Sequence, residues 1–266
     1  MGIRHFLLLA VVSLFSSCKS EYELIRTSNN PERIYIAAEK YYKEKDYDKA
    51  IGLYDIIIQY YRGKQEAEEL FYNYAWCHYY TGDYILSATY FKNHSTTFTN
   101  SNKREEMEFM AAMSNYKLSP NHKLDQSYSL KAIESFEQFI NLFPESGRVP
   151  EAIKYLDKLR EKLELKSYEQ GILYYRIGQY QSAITSFQIF LKDFPETKKM
   201  EEIRFLMIKS AVILAENSIY EKQEERWNEA LTFYQQFQKK FPKSKWIKEA
   251  RSMEKDIIKA LKPFKK

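Results

Sequence analysis

The side chains best able to do chemistry in this chain are few: two cysteines, Cys18 and Cys77, and, beyond the first few residues, three histidines, His78, His94 and His122. A metal site or an acid–base pair needs ligands brought together, on a helix by a spacing such as HxxxH, and none of these histidines has such a partner. There is no Gly-rich phosphate loop, no GxSxG and no second thiol beside Cys77. His78 reads as a packed ring, while His94 and His122, near expected turns, read as solvated. Cys77, inside FYNYAWCHYY, reads as a small core residue. The acidic pairs Glu105 and Glu106, Glu201 and Glu202, and Glu224 and Glu225 read as solvated helix faces or first-turn partners of the helix dipole. Catalysis, a cofactor and a bound metal are therefore not expected.

Cys18 stands apart. The opening MGIRH carries one cation, Arg4, the uncharged FLLLAVVSLF follows, and Ser16 and Ser17 lie directly before the thiol. The apolar run falls short of the roughly 20 residues a membrane-spanning helix needs. Small residues abutting a cysteine resemble a bacterial lipoprotein signal: residues 1–17 form the signal peptide, Cys18 is acylated, and 18–30 form a lipidated linker. Phe15 stands three residues before the cysteine, where Leu is usual, and Leu14 is one further out. With Cys18 so used, Cys77 has no partner for an internal disulfide.

The elements that position everything else are helical. In 266 residues there are only seven Gly and seven Pro, against 29% charged and 16% aromatic residues, and so few breakers favour long helices. The net charge of +5 is spread along the chain rather than clustered, so nucleic acid is not an expected partner.

One phrase recurs: LFPES at Leu142, DFPET at Asp193 and KFPKS at Lys240, with a degenerate TFTNS at Thr97. Each stops a helix, because proline cannot continue one, and offers Ser or Thr to cap the next. A second pattern precedes it. Ala38, Tyr41, Asp46, Tyr47, Ala50 and Tyr54 recur at identical spacing as Ala75, His78, Asp83, Tyr84, Ser87 and Phe91, and again as Gly171, Tyr174, Gln179, Tyr180, Ala183 and Phe187. Small residues let paired antiparallel helices approach and the aromatic fills the gap beside them, the pattern of the tetratricopeptide repeat. With Ala132 and Phe136, and Ala230 and Tyr234, five repeats follow. The predicted fold is an all-α tetratricopeptide-repeat solenoid of about five helix pairs with a C-terminal capping helix, repeats 1–3 in residues 31–145 and repeats 4–5 with the cap in 146–266. The anchors at 50, 87, 132, 183 and 230 are wider apart than the regular 34 residues. The excess is assigned to a long turn at LSPNHKLDQSYS, a single long helix over PEAIKYLDKLREKLELKSYEQGILYY, and a turn lengthened by NSIYEKQEERW.

Such an array presents a concave face lined by the first helix of each pair. The positions facing it are Tyr35, Glu39 and Tyr42, then Tyr72, Trp76 and Tyr79, then Phe109, Met113 and Tyr116. Tyr35, Tyr42, Tyr72, Trp76 and Tyr79 are the candidates for gripping an extended peptide, since rings with polar tips make efficient anchors. Arg176, at the helix turn of the fourth repeat, is a candidate contact for an acidic partner surface. Asn73 is similar to the asparagine with which some tetratricopeptide domains clamp a terminal carboxylate, although the basic residues of that clamp are not all present.

The linker CKSEYELIRTSNN, the opening AAEKYYKEKDYDKAIGLYDIIIQYYRG, the turn KLSPNHKLDQ, FPES before the long helix, and LAENS before KQEERWNEA together resemble the BamD family in its Bacteroidetes-like form, the tetratricopeptide lipoproteins of the outer-membrane β-barrel assembly machinery. The likeness runs through nearly all of the chain after the leader. It implies a non-catalytic scaffold held to the outer membrane by its lipid and facing the periplasm. Its implied partners are the central β-barrel subunit, bound through the C-terminal repeats, accessory lipoproteins, and unfolded outer-membrane proteins received by the N-terminal repeats. An adaptor lipoprotein of pilus assembly or cell division, or a glycan-binding surface lipoprotein, are the alternatives.

Overall fold

The computed structural model describes residues 20–264; Cys18 lies outside them. Among the described residues there are twelve α-helices and no strand: α1 Glu21–Arg26, α2 Pro31–Lys43, α3 Tyr47–Tyr61, α4 Ala67–Tyr80, α5 Tyr84–Thr97, α6 Arg104–Leu118, α7 Ser127–Leu142, α8 Val149–Arg176, α9 Tyr180–Asp193, α10 Met200–Glu216, α11 Tyr220–Lys240 and α12 Ile247–Leu261. None of them is long and apolar enough to cross a membrane. The described residues form two compact units, one of 20–120 and 125–156, the other of 121–124 and 157–264.

The five expected pairs are present as α2/α3, α4/α5, α6/α7, the C-terminal part of α8 with α9, and α10/α11, with α12 as the cap. The anchors Ala50, Ser87, Ala132, Ala183 and Ala230 are completely buried, and so are Tyr54, Phe91, Phe136 and Phe187 four residues on. The reason for a small residue is explicit at Gly171, where a Cβ would lie 2.5 Å from the ring of Phe187. The turns within the first, second and fourth pairs share one backbone solution. Lys45, Gly82 and Gly178 adopt φ of +63°, +82° and +76°, and the next residue opens the second helix, Asp46 and Asp83 accepting the backbone N–H of Lys49 and Leu86. Glycine suits that left-handed position, and Lys45 occupies it against its own preference.

The recurring FPxS phrase works as a turn rather than as a direct cap. In each copy the phenylalanine N–H of Phe143, Phe194 or Phe241 donates to the carbonyl of the Phe four residues before it, and the Ser or Thr N–H donates back to that capping phenylalanine. The hydroxyls of Ser146, Thr197 and Ser244 then accept the N–H two residues on. Two of these hydroxyls, with Ser101 of the degenerate copy, also donate at 2.6 Å to a glutamate on the first helix of the same pair: Ser101 to Glu68, Ser146 to Glu105 and Thr197 to Glu164. In the second, third and fourth pairs the phrase therefore ties the exit to the entry.

The long helix appears as α8, and residues 119–126 form the long turn of the third repeat. The expected long turn at NSIYEKQEERW does not appear. Only 217–219 are non-helical, and α11 begins at Tyr220. The insertion contains no breaker, and Glu, Lys, Gln and Arg are good helix formers, so the extra residues lengthen the helix instead.

Candidate functional site

The groove candidates all lie in the first unit, on α2 and α4, and all are half-buried. Tyr35 packs on Tyr61 with ring centroids 5.0 Å apart, and Tyr42 meets Tyr47 edge-on. Trp76 stacks on Tyr80 at 5.2 Å and meets Tyr79 and Phe91 edge-on. Tyr72 donates to Glu106 at 3.2 Å and has the Lys103 ammonium 4.0 Å over its ring. Burial, then the nearby carboxylates Glu39 and Glu106 respectively, push the phenols of Tyr35 and Tyr72 up to about 12. These rings therefore stay neutral hydrogen-bonding groups. Of the next row, Phe109 and Met113 are buried and belong to the core, while Tyr116 is half-buried against Tyr155. The reason is that α6 is packed on several sides, with residues 107–114 buried throughout.

Behind the rings lies a polar layer that sequence reading missed. Asn73 is 2% exposed and donates to both oxygens of Glu39 at 3.0 Å, while the Tyr54 hydroxyl donates to Glu39 at 2.6 Å. The asparagine that looked free to clamp a ligand carboxylate thus holds an internal one. Tyr74 donates to Asp55. Glu108, 3% exposed, takes the Lys92 ammonium at 2.8 and 2.9 Å and the Ser95 hydroxyl at 2.8 Å. Cys77 is fully buried, and desolvation pushes its thiol up to about 12, which makes it unreactive.

His78 is buried against Tyr74 and Tyr90, as its place in the repeat predicts. His94 corrects the expectation of a solvated side chain: it is completely buried, edge-on to Tyr72 and beside Phe98. The helix α5 continues through Thr97, and Ser87, Phe91 and His94 share its inner face at helical spacing, the signal that would have placed it. Burial holds both imidazoles below their ordinary range, against the opposing pull of Asp83 and Asp55 at His78 and of Glu68 at His94. His122 is also less solvated than expected, half-buried with its Nε2 2.8 Å from Glu169.

That pair belongs to a cleft of about 590 Å³ in the second unit, lined by His122, Lys123, Lys166, Tyr168, Glu169, Gln170, Ile172, Leu173 and Arg176. Lys166 donates to the Leu124 carbonyl at 2.7 Å, which holds 121–124 against α8. Arg176, the last residue of α8, is exposed at the rim. Its guanidinium partly offsets the burial and the Glu202 carboxylate that push the Tyr168 phenol up to about 12. The cleft combines the cations Lys123, Lys166 and Arg176 with the Glu169 carboxylate and the apolar Ile172 and Leu173. No group of His, Cys, Asp and Glu fit to hold a metal occurs among the described residues.

Solved structures similar to this chain include a TPR repeats protein from Bacteroides fragilis NCTC 9343, 12% identical over 86% of this chain and 97% of that one with a TM-score of 0.36. A thermophilic TPR protein from Thermus thermophilus is 14% identical over 87% and 98%, with a TM-score of 0.30. No curated protein matches the chain. A family model does, that of YfiO, described as an outer membrane lipoprotein, over residues 27–225 and again over 168–262. Those two overlapping matches take in nearly all of the described helices, and the chain belongs to this family of BamD-like outer membrane lipoproteins.

Proposed function

We propose that the protein is a non-catalytic scaffold of the outer-membrane β-barrel assembly machinery. It is anchored by acylated Cys18 and faces the periplasm. In this reading the first unit receives unfolded outer-membrane protein segments along Tyr35, Tyr42, Tyr72, Trp76 and Tyr79. The second unit binds the periplasmic domains of the central barrel subunit with Arg176 at the contact, and accessory lipoproteins complete the complex. Family membership carries the proposal, because the chain belongs to a family of outer membrane lipoproteins, which supports an envelope location and a role in protein interaction there. The aromatic row supports it, since half-buried rings with polar tips fit strand-like segments that end in aromatic residues.

Affinity purification of the intact lipoprotein after cross-linking in cells tests this. Recovery of the central barrel subunit in the wild type is the expected result. Recovery of pilus or division proteins in its place would assign the scaffold to another assembly system. Cys18→Ala is expected to abolish lipid labelling and release the protein from washed membranes, because several buried acyl chains are needed for stable anchoring.

A further inference from the structure

Neither the groove nor the cleft uses the outer face of the last helix. Lys248, Arg251, Lys255, Lys259 and Lys262 follow at intervals of three or four residues along α12 and its C-cap, and all five are exposed. At about 100° per residue they fall within an arc of about 80°, and at about 1.5 Å per residue they extend over about 21 Å. The other side of α12, with Ala250, Ile257 and Leu261, is buried in the core of the second unit. The cationic stripe is thus the face that α12 turns outward. Glu249 and Asp256 lie outside the arc on one flank, and Glu249 is paired with Lys209 at 3.1 Å. Arg251 and Glu254 both reach Tyr234. The four lysines of the stripe enter no ion pair and no side-chain hydrogen bond among the described residues. Charges that read as interspersed along the chain are therefore segregated once this helix forms.

We infer that this stripe docks the protein on an anionic bilayer surface, with lipid phosphates as its counter-charges. An acidic protein partner fits less well. A protein interface takes its affinity from a few buried aromatic or aliphatic anchors seated in pockets, and the stripe offers only Ile258 at its margin, on a convex single helix. A straight row of exposed cations, four of them lysines without partners among the described residues, instead matches a fluid array of headgroups, the arrangement by which basic helices recognise charged leaflets. The family is one of outer membrane lipoproteins, so a membrane surface belongs to its surroundings. This surface contact is additional to the lipid anchor and independent of which partners the repeats bind.

The test uses residues 19–266 without the acyl group, which contain every described helix. Co-sedimentation is measured with vesicles of phosphatidylethanolamine containing about 30% phosphatidylglycerol and with neutral phosphatidylcholine vesicles, at about 0.1 and 0.5 M salt. The expected result is binding at least tenfold stronger to the anionic vesicles at low salt, lost at high salt. Lys248→Glu/Lys255→Glu/Lys259→Glu is expected to weaken it at least tenfold with an unchanged melting temperature, whereas the same charge change at exposed Lys40, Lys43 and Arg62 leaves most of the binding. Equal loss in both triple variants would reduce the effect to net charge and overturn the stripe. No vesicle binding, with salt-sensitive binding to polyglutamate instead, would overturn the membrane in favour of an acidic protein.

Discussion

The two units are built from one repeat but are filled with different chemistry. The buried core of the second is made of Phe187, Phe190, Ile203, Met207, Ile208, Val212, Trp227 and their neighbours, with Ser210 and Ser244 as its buried polar residues. The first buries Asn73, His78, His94, Ser95 and Glu108, and joins Ser87 to Ser114 across helices at 2.8 Å. Packing of the anchors does not require that difference, because Ala50 and Ala183 are equally buried. The polar layer lies directly behind the rings of the first unit: Glu39 sits between Asn73 and Tyr54, and Tyr72 and His94 pack together. Polar groups with fixed partners set ring positions more specifically than oily contacts do. The first unit thus carries a polar layer beside its apolar core, while the second is apolar nearly throughout.

Removing a partner from the polar layer should show the contrast most strongly. Lys92→Met leaves the Glu108 carboxylate buried with Ser95 as its remaining donor, and is expected to cost about 3 kcal/mol. The double variant Lys92→Met/Glu108→Leu, which removes the charge as well, should recover most of that loss in denaturant unfolding. A single variant as stable as wild type would mean that the pair is not buried in solution.

In the second unit the sensitive quantity is volume. Ala183→Leu inserts three carbons between α9 and the helix it packs on, at a cost of about 2 kcal/mol, while Lys198→Ala at the exposed turn should leave the melting temperature almost unchanged. Equal effects would contradict the helix pairing.

A smaller effect separates the units by pH. His78 and His94 are held below their ordinary range in the folded protein, so on acidification the unfolded chain takes up protons first. Stability contributed by these neutral imidazoles is complete above pH about 6.5 and is lost progressively as pH falls through that value toward their depressed folded ones. The melting temperature should decline as pH falls below about 6.5, and His78→Phe/His94→Phe should flatten the decline. An unchanged slope in that variant would place the titration elsewhere.

Much of this fold is legible in the sequence because repeat packing leaves a periodic trace. Ala50, Ser87, Ala132, Ala183 and Ala230 mark their helices unaided, and FPxS marks the exits. The polar layer leaves no such trace. Glu108 sits in a helix surrounded on several sides, where burial depends on neighbours distant in sequence, and residue type alone points it to solvent. Asn73 matched a ligand-binding pattern because the carboxylate it holds, Glu39, comes from another helix. The cations of α12 were hidden by the linear order of the chain, since their alignment exists only at helical pitch. Arg176 ends α8, but the cleft beside it depends on 121–124, a segment whose position no local pattern announces.

The central claim is that the two units serve different partners. Its most direct test is to titrate Trp76→Ala and Arg176→Glu, each against a peptide ending in an aromatic residue and against the periplasmic domains of the central barrel subunit. Trp76→Ala should weaken the peptide by about 2 kcal/mol, as for a buried aromatic anchor, and leave the barrel subunit unaffected. Arg176→Glu should lower affinity for the barrel subunit, chiefly through the association rate and with strong salt dependence, and leave the peptide unaffected. Equal losses against both partners in both variants, with the fold intact, would contradict the division between the units.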